Sequence, residues 1–536
     1  MGRMVLAVLV GWSLVAGLAA GVEAEALSVI PRPVSVERQE GTFRLTPQTR
    51  IVVAGPAWAE ATKLIDALAP ATGFVLRGAA SRQGDAPAIE LKLDDGLNDL
   101  GDEGYTLDVA RDGITIVARR PAGLFYGIQT LRQLLPAAIF SATTVSDVTW
   151  DVPCVKITDM PRFGWRGLLL DPARHFIAVP DVKRFIDAMA LHKFNRLQVH
   201  LTDNEGWRIE IRKYPKLAKL GSQMDWNLCR RGGTGPRRFG FYTQENIREL
   251  VRYAAERHIT IVPEIEMPFH TGAAIVVHPE LGIAPGPLGA LPLEQRWYKC
   301  RGLIAPRPAT VAFLQDVLVE VMDLFPSPHI HIGGDEANTE HWTKDPEMQE
   351  QMKRLQLADA HALHSWFITQ MDAFLSEHGR RLVGWDEILQ GGLAPGATVM
   401  SWRGEQGGIA AANAGHDVVM APTSHTYFDY YQGPPASEPL AIGGNLPLAK
   451  VYSYDPIPAA IAADKVQHVL GVQGQLWGEF IATPEHLNYM GYPRAAALAE
   501  VGWSTRSNKD YDDFLRRLRQ HLKRLQTLGV KFRPLD

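Results

Sequence analysis

Between residues 27 and 159 the apolar positions fall in short alternating runs. Tyr105-Thr106-Leu107-Asp108-Val109 alternates, Arg111-Asp112-Gly113 turns the chain, and Ile114-Thr115-Ile116-Val117 alternates back. Period-two patterning on both sides of a glycine turn predicts a β-hairpin over residues 104–118. Leu124, Ile128, Leu131 and Leu135 then recur at helical spacing, which predicts a short amphipathic helix over 123–135. No catalytic constellation is visible in this stretch. Pro153 to Pro161 marks a boundary, so residues 25–159 read as a small α+β domain.

From Arg162 onward the pattern changes to strands alternating with helices. Apolar runs predict strands at 164–171, 196–201, 259–265, 329–332, 381–385, 398–402, 417–421 and 469–476. Between them lie helical patterns. Asp181 is a candidate cap for a helix with Val182, Phe185, Ile186 and Met189 on its apolar face. Thr243 begins a second helix, with Ile247, Leu250, Val251 and Ala254 on one side. Two more are expected at 309–325 and 360–378. Eight strand–helix units predict a (β/α)8 TIM barrel over residues 160–536, an α/β fold with its catalytic residues where strands end. An open doubly wound sheet is the alternative, but no glycine-rich nucleotide turn follows the first strand.

Two features refine this picture. Arg3, the apolar run from Met4 to Ala20, and Val22-Glu23-Ala24 read as a secretory signal peptide, residues 1–24, so an exported protein (periplasmic or secreted) is expected. The run is short for a membrane span, and no later stretch is a candidate. The chain has 536 residues, 46% hydrophobic and 21% charged, with a formal net charge of −4. That is ordinary for a soluble globular protein, and without a basic stripe nucleic acid is excluded as an expected partner. The cysteines are Cys154, Cys229 and Cys300, enough for one disulfide at most and not spaced as a zinc site.

The candidate chemistry gathers at the strand ends. His331-Ile332-Gly333-Gly334-Asp335-Glu336-Ala337 ends an apolar run in two glycines and two carboxylates. The glycines let the backbone approach a ligand, and adjacent carboxylates that project differently can divide acid and charge-stabilising work. Other strands end at Asp171, Arg174 and His175; at His200, Asp203 and Trp207; at Glu264, Glu266 and His270; at Trp385, Asp386 and Glu387; at Trp402; and at Trp477 and Glu479. One rival reading is a metal-dependent hydrolase, because His329 and His331 share one face of a strand. No further histidine pair with an aspartate completes such a site.

Arg166-Gly-Leu-Leu-Leu-Asp171-Pro-Ala-Arg174-His175, His200-Leu-Thr-Asp203, the Gly333–Glu336 motif and Gly384-Trp385-Asp386-Glu387 occur in order. Together they resemble the β-N-acetylhexosaminidases, glycoside hydrolase family 20. The resemblance runs from about Leu27 to the C-terminus. It implies exo-acting release of a terminal β-linked N-acetylhexosamine, with retention, by substrate-assisted catalysis through an oxazolinium ion and without a cofactor or metal. A disaccharide-releasing exo-enzyme of the same family is the alternative. The resemblance implies Glu336 as acid and base, and Asp335 as the partner of the acetamido N–H. Asp203 and His270 become a relay behind Glu336. Arg166 is implied as a donor to the C3 and C4 hydroxyls. Trp385, Trp402 and Trp477 become pocket walls, Tyr427 a partner of the acetamido oxygen, and Asp429 and Glu479 partners of outer hydroxyls. The chain departs from the family at Glu266 and Phe269, where Asp and Gly are usual, and at Asn204 and Glu205. The loops at 230–238 and 282–299 are long and are candidates to shape sites beyond the terminal sugar.

Overall fold

The computed structural model describes residues 27–82, 84, 86–223, 239–283 and 288–535. Residues 1–24, expected to be a signal peptide, Cys229 and the arginine-rich stretch 230–238, expected to shape sites beyond the terminal sugar, lie outside the described residues. Residues Ser35–Arg44 to Asp151–Asp159 form a seven-stranded mixed sheet covered by helices Trp58–Thr72 and Pro121–Leu134. The expected hairpin is present as Tyr105–Ala110 and Gly113–Ala118, with Ala110 paired to Gly113 across a two-residue turn. Its alternation is used as the pattern requires. Tyr105, Leu107 and Val109, with Ile114, Ile116 and Ala118, are buried alongside Leu124, Ile128 and Leu131 of the second helix.

The rest of the chain closes an eight-stranded parallel barrel. Its strands are β1 (Trp165–Leu170), β2 (Arg196–His200), β3 (Thr260–Glu264), β4 (His329–His331), β5 (Arg381–Trp385), β6 (Thr398–Ser401), β7 (Val418–Met420) and β8 (Val469–Gly474). Each lies within its expected range, because strands buried on both faces read as near-continuous apolar runs. The barrel closes where β8 pairs with β1. Gly471 (φ +152°) lies opposite Trp165 there, and a Cβ on it would stand 1.8 Å from the Trp165 carbonyl oxygen. Thr243 caps helix Gln244–Ala255 in a reciprocal capping box with Asn246. Asp181 is not a cap: its helix begins earlier, at Val179 with Pro180 in the first turn, and Asp181 sits inside that turn. Among the described residues no helix is long and apolar enough to cross a membrane.

A layer of Trp165, Leu169, Val262, Val383, Trp385, Met400 and Val419 fills the barrel. Threaded through it is a polar line. Gln473 donates to Gln198, Gln198 donates to Glu264 (2.8 Å), and the Trp385 indole N–H donates to Glu264 (3.0 Å). Buried polar groups in such a core must be mutually satisfied, and this network fixes the floor on which the strand ends stand.

The two domains meet through buried charge. Lys193 donates to Asp159 (2.8 Å), which also accepts from Tyr105 (2.7 Å) and Trp503 (2.8 Å). The C-terminal helix Tyr511–Thr527 ties the same seam: Arg517 pairs with Glu500 (2.7 Å), and Arg524 donates to the backbone of Ser28 and Gln133.

Candidate active site

A pocket opens at the C-terminal ends of the strands, lined by Arg174, His270, Asp335, Glu336, Trp385, Trp402, Tyr427, Asp429, Tyr430, Ile442, Trp477 and Glu479. Nine of these are residues to which the family resemblance gives a role, and Arg174 is a tenth that the sequence places at a strand end. Asp203 lies directly behind His270, outside the lining. Arg166 is not there. Trp165 and Leu169 point into the barrel, so strand alternation sends Arg166 outward. Its guanidinium is buried at the domain seam, donating to Glu103 (2.9 and 3.0 Å) and to the carbonyls of Phe163 and Lys193. The arginine of the pocket is Arg174, four residues beyond β1. It donates to Asp171 (2.9 Å) and Glu205 (3.1 Å) and pairs with Asp203 (2.7 Å), while its edge toward Glu479 is looser at 3.9 Å.

A row of alternating carboxylates and imidazoles runs beneath the pocket. His200 lies between Glu264 (2.7 Å) and Asp203 (2.8 Å). Asp203 meets His270 Nδ1 at 3.0 Å, and His270 Nε2 meets Glu336 at 3.0 Å and Asp335 at 3.6 Å. Burial opposes charge on His200, but Glu264 and Asp203 outweigh it and hold its pKa up to about 10. Burial likewise opposes charge on His270, and Asp203 outweighs it, so its pKa stands well above the usual imidazole value. The departures leave this row intact. Phe269 packs its ring 4.5 Å from that of His270, and Asn204 accepts from the Gly272 N–H.

The end of β4 is built for close approach. Gly333 (φ +71°) and Gly334 (φ +91°) are followed by Glu336 at φ +50°, and His270 stands at φ +54°. Such angles in non-glycine residues persist where the surroundings over-determine them, which is common at functional sites. The two carboxylates then part. Asp335 is 13% exposed and Glu336 52%. Burial raises the pKa of Asp335, partly offset by His270, whereas the hydrogen bond from His270 lowers that of Glu336.

The tryptophans form the apolar walls. Trp385 and Trp477 lie 5.6 Å apart, and Trp402 stacks near Tyr427 at 6.1 Å. The Trp402 N–H is held by Glu387 (2.9 Å). Burial, reinforced by Glu479, pushes Asp429 well above the carboxylate range. An acidic pocket whose lining cations, Arg174 and His270, are already paired with carboxylates suits a neutral polyol that develops positive charge.

Among the described residues, two groups have ligand-type atoms close enough for a metal: His200, Glu264 and Glu266, and His270, Asp335 and Glu336. In both, each histidine nitrogen is already engaged by a carboxylate. The His329 and His331 pair does not converge either, since His329 packs on Trp165 and His331 on Trp385.

Sequence reasoning missed Arg174 as the pocket arginine, although its strand-end position was visible. It also missed Tyr430 and Ile442, which lie on the long aperiodic loop between β7 and β8 and carry no periodic signal.

Comparison with known proteins shows the family. The family model "Glycosyl hydrolase family 20, catalytic domain" matches residues 163–506, and "Glycosyl hydrolase family 20, domain 2" matches residues 26–160. A β-hexosaminidase of Porphyromonas gingivalis is 43% identical over 94% of the chain, which spans 64% of that relative's length. A β-N-acetylhexosaminidase of Cellulomonas fimi is 31% identical, with 94% and 96% of the two chains covered. Among solved structures, a β-N-acetylhexosaminidase of Streptomyces coelicolor has a TM-score of 0.82 at 33% identity, covering 95% of this chain and 98% of its own. A mutant Streptomyces plicatus β-hexosaminidase in complex with product, GlcNAc, superposes equally well (TM-score 0.82, 33% identity, 95% and 97% covered).

Proposed function

The chain belongs to glycosyl hydrolase family 20 as a β-N-acetylhexosaminidase, and we propose how its residues divide the exo-acting, substrate-assisted reaction. The supporting observation is the unlike setting of the two adjacent carboxylates. Glu336 stands at the wet mouth on His270, and Asp335 stands in the pocket with Oδ1 buried and unpaired.

The non-reducing terminal N-acetylhexosamine enters with its acetamido group toward Trp385, Trp402 and Trp477. Asp335 accepts the acetamido N–H, which lowers its proton affinity. The substrate's amide oxygen, oriented by the Tyr427 hydroxyl, attacks the anomeric carbon. Glu336 gives its proton to the leaving oxygen. In the empty pocket His270 keeps Glu336 ionised, but the arriving sugar strips water from Glu336 and raises its proton affinity. The proton then passes from the His270 imidazolium to Glu336, leaving neutral imidazole on Asp203. The oxazolinium ion carries its charge against Asp335. Water, deprotonated by Glu336, attacks the same face from which the aglycone left, so configuration is retained. Arg174, rather than Arg166, faces the ring hydroxyls, with Asp429 and Glu479 beside it. Residues 1–24, read as a signal peptide, would put this activity outside the cytoplasm.

The test removes the internal nucleophile. A C2-hydroxyl aryl glycoside should be turned over far more slowly than the 2-acetamido one, and an N-acetylglucosamine-derived thiazoline should inhibit strongly as a mimic of the cyclic intermediate. Equal rates with weak thiazoline binding would overturn the reading.

A further inference from the structure

Glu266 is a buried acid that this mechanism leaves unused. It stands two residues beyond the end of β3 and is 2% exposed, and neither of its carboxylate oxygens has a hydrogen-bond partner. Its surroundings explain why. His200 Nδ1, the nearest cation at 3.8 Å, is committed to Glu264 at 2.7 Å. Glu264, on its own strand, is already engaged by Gln198, Trp385 and His200. The other charges acting on Glu266 are all negative: Asp335, from the end of β4, then Glu264, and Asp203, from beyond β2.

The fit to Asp335 is steric as well as electrostatic. A Cβ on Gly333 would stand 1.7 Å from Glu266 Oε2. The carboxyl therefore lies in a slot that a glycine leaves open, against the backbone that carries Asp335. Asp335 Oδ1 is itself buried and without a donor. Two buried carboxyls whose nearest cations, His270 and His200, are already committed to other carboxylates cannot both ionise, so one proton stays with the pair.

We propose that Glu266 holds this proton, as a positioning residue whose neutral carboxyl leaves Asp335 the ionised member facing the acetamido N–H. This rests on the role of Asp335 given above. Burial first, and then the charge of Asp335, drives Glu266 well above the ordinary carboxylate range, which agrees with the geometry. The glutamate thus supplies a neutral polar neighbour where a second negative charge would compete for the substrate's N–H or force a proton onto Asp335.

The test compares two substitutions in the full-length enzyme through the acid limb of the kcat/KM–pH profile on an aryl N-acetylglucosaminide. Glu266→Gln keeps size and a neutral polar group, and should leave that limb where the wild type has it. Glu266→Leu removes the polar neighbour, so the Asp335 carboxylate loses support and the limb should move up by about one pH unit or more. A downward move in Glu266→Gln would show that Glu266 is ionised in the working enzyme, and would overturn the proposal. An unmoved limb in Glu266→Leu would overturn it too, by showing that Glu266 does not act on Asp335. Infrared difference spectroscopy gives a readout independent of turnover and of whether the leucine variant folds. The neutral-carboxyl C=O band at neutral pH should lose intensity in Glu266→Gln, and an unchanged band overturns the proposal. Failure of the substrate-assisted reading itself would show separately, as equal wild-type rates on acetamido and C2-hydroxyl glycosides.

Discussion

Two clusters of buried charge can be set side by side. One lies at the seam between the domains, beside the N-terminal ends of β1 and β2, and joins Arg166 to Glu103 and Lys193 to Asp159. The other lies at the C-terminal ends of the strands, around Arg174, His270, Asp335 and Glu336. Both take ions out of water, which costs several kcal/mol per ion unless partners replace the solvent. At the seam they do: Asp159 accepts from Lys193, Tyr105 and Trp503, and Glu103 accepts from Arg166, Asn195 and Tyr126. At the pocket they do so only in part. Asp335 Oδ1, Asp429 Oδ1, Glu479 Oε2 and both oxygens of Glu266 are buried without a donor. The seam spends its hydrogen bonds on holding two domains together, whereas the pocket leaves acceptors open for the hydroxyls and amide of a sugar.

The largest effect that sharpens this contrast is catalytic. Glu336→Gln should lower turnover of natural-type glycosides, whose leaving oxygen needs a proton, by roughly 10²–10⁴-fold, the range of general acid catalysis. Activated aryl glycosides should lose less. Rates on a nitrophenyl glycoside and a chitin oligomer check this, and equal losses on both would remove Glu336 from the acid role. Because Glu336 is half exposed and stabilises nothing else of note, the thermal midpoint should stay near that of the wild type.

The seam should show the reverse. Lys193→Met leaves Asp159 charged and buried beside Trp503, and breaking such a pair costs about 3–5 kcal/mol. Thermal and urea unfolding should move accordingly, while kcat per folded molecule stays unchanged. A variant that kept full stability but lost turnover would dissolve the division between the two clusters.

The sequence made the scaffold legible for a physical reason. Most barrel strand residues are buried on both faces, so the strands read as largely apolar runs broken by a few polar residues that line the barrel, and the hairpin at Tyr105–Ala118 is buried on one face and so alternates. The same physics hid the facing of Arg166. In Trp165-Arg166-Gly167-Leu168-Leu169-Leu170 both faces are apolar, so the pattern does not tell which parity points inward. Only the closed barrel shows that Trp165 and Leu169 do. Arg174, beyond the strand, escapes that ambiguity because Asp171, Asp203 and Glu205 hold it from three sides. The slot between Glu266 and Gly333 could not be read either, because it is made by neighbouring strands β3 and β4 whose ends are far apart in the chain.

The smallest expected effect distinguishes the clusters by sign. Burial alone would raise the Glu103 carboxyl, but Arg166 and Asn195 outweigh it and hold it below its ordinary value. The folded chain therefore binds fewer protons there than the unfolded one. The stabilisation is complete above the unfolded pKa, near ~4.3, and fades as pH falls through the lower folded value. Asp335 is opposite: burial raises it, with His270 only partly offsetting, so the folded chain binds more protons there and gains stability as pH falls from neutral. Two variants should bring this out. Glu103→Gln should flatten the loss of thermal stability in the acid range below about pH 4. Asp335→Asn removes a buried, unpaired charge and should raise Tm at pH 7 by about 2 °C, a shift that narrows on acidification as the wild-type carboxyl takes up its own proton. Calorimetric scans of both variants between pH 3 and 8 would decide it. Parallel curves for the two, or a gain in Asp335→Asn that grows on acidification, would mean that the pocket carboxylate is not held in an unfavourable charged state, and the contrast between a paired seam and an open pocket would fail at the residue where it matters most.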